Sequence, residues 1–401
     1  MMQLFAVVLP VLLLFCGLSV DIGMLELKKI QMQSAADAAA LGGALEAERG
    51  TNNWVTIATA EAGMNGFTNG PNTTVSIVEG ATSGAYNGRY DAIQATITQS
   101  VKTVFMGALH GGVFTLTAQA SALITPCIYT LGNGSLQNYS LMVYTGSLLG
   151  DSCPVYATTE DVLGGGGHVA VEAVDVSGPA SSSSNAGSIW PPPVYNVPLV
   201  TDPLASTPQP SFGSCSHTSY SITSGSATIS PGTYCKGLNI SNATVTLNPG
   251  LYTITGGANW SNATVTGAGV TLFFTTGGGG GYGQFLIQNG SQVTMSAAND
   301  SSTGTIPAIS AILVFADRNW THTTGQDFQL NSSEVSGDGI WYLPKAGLEV
   351  WSCGTYPYTA GHYLGVVADN IFTAGTLFEP ANNYSYVTTG NPFRTRGALI
   401  Q

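Results

Sequence analysis

The hexapeptide Ser-Asn-Ala-Thr-Val-Thr occupies residues 241–246 and recurs, unchanged, at residues 261–266. A repeat of about 20 residues in strand-and-turn sequence is too short for a helix pair, and it fits one turn of a stacked array of strands. Pro-Gly-x-Tyr also recurs, at residues 231–234 and 249–252, and Asn289-Gly-Ser-Gln-Val-Thr-Met is a third, weaker copy displaced by the glycine tract at 277–281. Alternation places Val245, Leu247 and Val265 inward and the threonines outward. The expected body over residues 213–401 is a parallel β-helix, with a β-sandwich as the alternative. Later apolar runs at 311–315, 339–343 and 365–372 continue the pattern.

Composition supports a folded, mainly β chain. Charged residues make up 8% of the 401 residues against 44% hydrophobic, and there are 51 glycines. Disorder goes with low hydrophobicity and high charge, the reverse of this balance. The net charge is −12, and no Lys or Arg lies between Lys102 and Lys236. Such a chain has little with which to neutralise phosphates, so nucleic acid is not an expected partner.

The N-terminus differs from the rest. Residues 1–20 carry no charge and are rich in Leu, Val and Phe. Twenty helical residues at about 1.5 Å each span a hydrocarbon core of about 30 Å. There is no basic stretch before this run and no small-x-small site after it, and the bulky Phe15 precedes Cys16, so an uncleaved anchor in the lipid bilayer is expected over a signal peptide or a lipoprotein. Lys28 and Lys29 follow the run, which by the positive-inside rule would hold the body in the cytoplasm. The cysteines and the lysine-poor body argue the other way. The expectation is therefore an inner-membrane, single-pass protein with its body in the periplasm or outside the cell; the abrupt start Met1-Met2-Gln3 leaves room for a short basic leader ahead of it.

Six cysteines are present, without Cys-x-x-Cys pairs or histidines at zinc spacing. Cys127 with Cys153 and Cys215 with Cys235 each close a short loop in strand-rich sequence and are expected as disulfides in an oxidising compartment. Cys353 is left over, as a buried free thiol.

Residues 21–48 read as a continuing helix rich in alanine, the best helix former, weakened near its end by Gly42 and Gly43. Strands are expected at 74–78, 90–98 and 113–124, with a short helix over 101–109. The run Leu9-Pro-Val-Leu-Leu-Leu, then Gly17-Leu-Ser-Val-Asp21, then Gln31, then Ala35-Ala-Asp-Ala-Ala-Ala-Leu-Gly-Gly-Ala44 resembles the N-terminus of the TadE/TadG-like proteins of tight-adherence (Tad, Flp pilus) systems. The resemblance is tight over about 40 residues and looser to Ile124. It implies a non-enzymatic accessory of a Tad pilus assembly system in a bacterial envelope, with other Tad proteins as partners. Ala35, Ala36, Asp37, Ala39 and Ala40 are the expected packing face toward such subunits. The domain plan is an anchor at 1–20, a pilin-like α+β module at 21–124, a disulfide-closed strand segment at 125–180, a Pro/Ser-rich linker at 181–212 and the β-helix-like part at 213–401.

Catalysis is not expected. Polysaccharide-cleaving sites need paired carboxylates, whereas Asp317, Asp327, Glu334, Asp338, Glu349, Asp369 and Glu379 are scattered, and Asp317-Arg318 reads as a turn with a local ion pair. The five histidines are isolated, no phosphate loop follows the glycine tracts, and Asp175-Val-Ser177 lacks the pattern of a metal-binding adhesion loop. No metal and no cofactor are expected. The competing reading is an exported adhesin that binds glycans through aromatic residues such as Trp260, Trp320, Trp341 and Trp351.

Overall fold

In the computed structural model the chain divides into two units, Met1–Ala47 with Thr51–Ile124 and Gly397–Gln401, and Glu48–Gly50 with Thr125–Arg396. The structure describes residues 2–49, 52–83, 87–110, 113–132, 139–150, 153–158, 162–164, 166–179, 187–300, 308–321, 327–351, 358–388, 390–393 and 399–400, and the side chains among them apart from those of 2–7, 9–11, 13, 108–110, 162–164, 358–360 and 399–400. It is mainly β, with 49% strand and 16% helix.

The first unit is a long helix on a small antiparallel sheet. Helix α1 (Met2–Ala47) is followed by α2 (Trp54–Met64), β1 (Thr73–Glu79), β2 (Ala92–Lys102), α3 (Phe105–His110) and β3 (Val113–Leu123). The sheet order is β1-β2-β3 with Leu399–Ile400 on the outer edge of β3. The glycines at 42 and 43 do not end α1. They let other elements approach: a Cβ on Gly43 would lie 2.8 Å from Ile93 and 3.1 Å from the Ala58 Cβ. The helix α2 had no counterpart in the sequence reading, because its apolar and polar residues show little helical segregation; only Ala58 and Ala62 are buried along it.

Helix α1 runs along the strands. Asp21 meets residues 104–106, the Lys29 ammonium donates to the Thr117 carbonyl, Gln33 reaches the Gln119 carbonyl, and Gly43 lies against Ile93. From Asp21 to Gly43 a helix rises about 33 Å, close to the length of an eleven-residue strand. Helix α1 therefore covers β2 and β3 from end to end, with its alanine face over one part of them.

The second unit is a large parallel sheet arranged as long ladders. Residues 241 and 245 pair with residues 261 and 265, so the sequence repeat of 20 is the register offset. The third copy joins the same ladder, with Val265 opposite Val293. Val245, Val265, Val293 and Val335 form one buried column. The asparagine of each copy takes a left-handed turn (φ 50° at Asn242 and Asn262, 57° at Asn289), which asparagine tolerates. Asn262 Nδ2 donates to Asn242 Oδ1 at 2.8 Å, linking successive turns. The tyrosines of the two Pro-Gly-x-Tyr copies each donate to the carbonyl four residues earlier, Tyr234 to Ser230 and Tyr252 to Asn248, both at 2.7 Å. These copies are 18 residues apart while the register is 20, so Tyr234 pairs with Ile254 and the two rings stack offset, 6.0 Å apart. Antiparallel sheets packed as a sandwich do not have this pattern: among the described residues one strand pair in this sheet is antiparallel, Tyr358–Ala368 with Ala381–Asn382.

The expected separation into a segment at 125–180 and a body at 213–401 is not a structural boundary. Leu141 pairs with Ile371 and Ile128 with Val366, so the earlier segment extends the ladders beyond the strands of the C-terminal part. Residues 181–212 consequently do not link two bodies. From Val197 to Phe212 the chain runs back as a strap to the first strands of the array. Tyr156 donates to the Pro198 carbonyl, Arg318 donates to the carbonyls of Leu204 and Thr207 and to the Tyr342 hydroxyl, and Tyr342 donates to Asp202 at 2.6 Å. Arg318 is thus a clasp for the strap. Its neighbour Asp317 accepts from Thr275, from Gln209 of the strap and from the Asn319 N–H, so the expected turn is formed while the local ion pair is replaced by contacts to a neighbouring strand and the strap.

Both expected disulfides are formed, Cys127–Cys153 and Cys215–Cys235. Gly278, at φ +56°, explains the glycine tract: a side chain there would collide with both sulfurs of Cys215–Cys235. Cys353 lies outside the described residues.

Candidate functional site

Two residues of the N-terminal pattern, Gly17 and Asp21, converge on the start of α3. Gly17 and Asp21 lie four residues apart and share one face of α1. The Asp21 carboxylate accepts from the backbone N–H groups of Val104, Phe105 and Met106 at 2.9, 2.8 and 2.6 Å. These are donors that the first turn of a helix leaves without partners. The Phe105 ring lies over Gly17, where a Cβ would approach it to 2.5 Å. Asp21 is wholly covered. Burial works against its charge, but the three N–H donors, Met106 foremost, outweigh it and hold the carboxyl below its ordinary value.

Around this junction the surface is apolar. Val104, Phe105, Val113 and Phe114 are exposed, and residues 99–117 carry Lys102 and no acid. On α1 itself Val20, Leu27 and Ile30 are exposed along one side. Among the described residues no helix is long and apolar enough to cross a membrane. Most side chains of the expected anchor at 1–20, namely those of 1–7, 9–11 and 13, lie outside that description.

The alanines of the pattern face inward. Ala35, Ala36, Ala39 and Ala40 are fully buried in a cluster with Ile93, Ala95, Ile97, Ala118, Ala120 and Ala122. They form the seam between α1 and its own sheet, so no other subunit reaches them while the unit is folded. Asp37 is half-buried and accepts from Gln33 Nε2 at 2.9 Å, the same amide that bonds to Gln119. The glutamine that positions Asp37 is therefore Gln33; Gln31 is exposed.

Residues 1–46 match the Tad family model, Flp pilus-assembly TadE/G-like. No curated protein and no solved structure matches the chain. The TadE/G-like segment is thus α1 as far as Glu46, and it contains both halves of what the geometry explains: the Gly17–Asp21 grip on α3 and the alanine seam. The signal for Asp21 as a structural carboxylate was present in the sequence, as a lone acid at the end of an apolar run. Its partners were not, because they lie 83–85 residues further along the chain.

In the second unit most of the acids and aromatics weighed for catalysis and glycan binding are buried. Trp260, Trp320 and Trp341 are buried, so they offer no stacking face; Trp351 is 44% exposed beside Phe372. Asp338 accepts from the backbone of His362 and Tyr363 and faces His362 Nδ1 at 2.8 Å. Burial pushes Glu349 up to about 7. Among the described residues no group of three or more His, Cys, Asp and Glu side chains is placed to hold a metal ion.

Proposed function

We propose that this chain is a non-enzymatic, membrane-anchored structural component of a Flp pilus assembly system. The observation that carries the reading is the TadE/G-like match over residues 1–46, whose pattern residues Gly17 and Asp21 grip α3. Residues 1–20 anchor the chain in the cytoplasmic membrane with the rest in the periplasm or outside. The apolar tip Val104, Phe105, Val113 and Phe114, level with the end of the uncharged run, supports this placement. Aromatic and apolar side chains with a nearby lysine suit a membrane–water interface.

Partner subunits meet the uncovered side of α1, where Val20, Leu27 and Ile30 project, while the alanine seam holds α1 to its own sheet. In the second unit the ladders coil as a parallel β-helix, which the 20-residue offset shared by successive strands over residues 232–275 and the inward valine column favour. Two disulfides suit an oxidising compartment.

The test is cross-linking in native membranes with a tag at residue 401. Pilus-assembly proteins captured from the membrane fraction are the expected result. Protein recovered alone in the medium would overturn the reading. The exposed Trp351 favours one other reading, an exported glycan-binding adhesin; binding of the full chain to a glycan array, lost in Trp351→Ala, would establish it.

A further inference from the structure

The ladders of the second unit begin with an edge that nothing described covers. Strand His217–Ile222 pairs with Gly232–Ser241 on one side, and strand Gly225–Ile229 pairs with Ala243–Leu247 on one side; neither has a described partner on the other. Their outer N–H and C=O groups form a row open to another strand. Behind this row the apolar interior is also uncovered. Tyr220, Ile222 and Ala227 are half-buried, whereas the residues paired with them one step in, Leu238, Ile240 and Val245, are fully buried.

Soluble proteins guard such edges with lysines, prolines, bulges or a covering segment, and stacked arrays carry polar caps. Here the guards are few. Residues 203–235 contain no Asp, Glu, Lys or Arg, and residues 211–230 contain no proline. The strand His217–Ile222 has one irregularity, at Ser219. The opposite end differs: after strand Ser188–Trp190 come three consecutive prolines, 191–193. The open edge is also held firm. Cys215–Cys235 ties the start of the first strand to the next one, and His217 stacks on Tyr234 at 4.8 Å. A fixed edge loses little freedom on pairing.

The structure assigns this edge as a docking surface for a second copy of the chain, joined end to end through a two-fold axis. The argument for a copy is electrostatic. A two-fold contact sets a surface against itself, so a surface of one sign repels its own copy. The chain as a whole carries 22 acids against 10 bases, yet residues 203–235 carry no charge and the two strands paired with the edge, 232–241 and 243–247, add only Lys236. Two such edges meet as antiparallel strands, saturating both rows of backbone groups and covering Tyr220, Ile222 and Ala227. This inference does not depend on the pilus role.

The experiment uses the full-length chain in mild detergent, with Ser221→Lys/Thr228→Lys as the paired variant. Both side chains are exposed, so the variant keeps the buried column, and an intact Cys215–Cys235 with slow exchange over 285–296 checks its fold. Mass and amide exchange are followed across protein concentration. The expected result is a dimer whose amides in 217–222 and 225–229 exchange more slowly as concentration rises, both effects disappearing in the variant. Amides that exchange alike at every concentration would overturn the inference. So would a dimer that survives unchanged in the variant, or protection that comes with a co-purified polypeptide of different sequence.

Discussion

At the residue scale, single groups here do the work of joints. Asp21 is the clearest. Its carboxyl is held below its ordinary value, so its contribution is present above the unfolded value and is lost as pH falls through the folded one. Asp21→Asn should speed amide exchange at Val104, Phe105 and Met106 at neutral pH, and wild type should show the same acceleration only in acid. Glu349 has the opposite sign. Burial raises it from 4.5 to about 7, so the folded state favours its protonated form and stability declines as pH rises through that window. Glu349→Gln should flatten this decline and stabilise the protein at pH 8 by about 1–2 kcal/mol, a value already reduced for solvent screening; denaturant melts at pH 5 and pH 8 measure it. Ala39 belongs to the same scale. Because its side of α1 is filled by the sheet, Ala39→Leu should destabilise the first unit itself by about 1–3 kcal/mol or more, whereas Leu27→Ala, on the open side, should leave its stability nearly unchanged.

At the scale of elements, legibility followed periodicity. The three strands β1 to β3 were readable because their apolar residues recur at a spacing of 2, and the long helix because it is rich in alanine. The 20-residue repeat declared the ladder register directly, and the displaced copy at residue 289 fell where its valine predicted. Other features left no such trace. The helix α2 buries small residues rather than a stripe, and the alanine seam looked like a partner surface because small side chains signal close approach without saying whose. The strap was hidden because Pro and Ser read as a linker, while what fixes it, Arg318 and Tyr342, lies far along the chain. The tip formed by the end of β2, α3 and the start of β3 gives an element-scale prediction. With α1 anchored as proposed, a benzophenone amino acid at Val104 or Phe114 should capture lipid in native membranes. One at Tyr90, near the opposite end of β2 and about 30 Å away, should not.

For the whole molecule, the second unit is tied at separate points. Cys215–Cys235 closes a loop of 20 residues at the open edge. Removing it with Cys215→Ser/Cys235→Ser should cost about 3 kcal/mol, read from denaturant unfolding, and should loosen the first strand and the strap together, since the bond lies where the strap ends.

The pairing of Leu141 with Ile371 also sets a timetable. A chain made from its N-terminus completes strands 128–195 early, yet the strand they must lie against is among the last to emerge. Until then the early strands wait beside a gap, and the array cannot assemble in the order in which it is written. Folding is therefore a closing step that belongs to the finished polypeptide, and a chain cut short before residue 371 would leave Leu141–Gly150 without the strand it lies against.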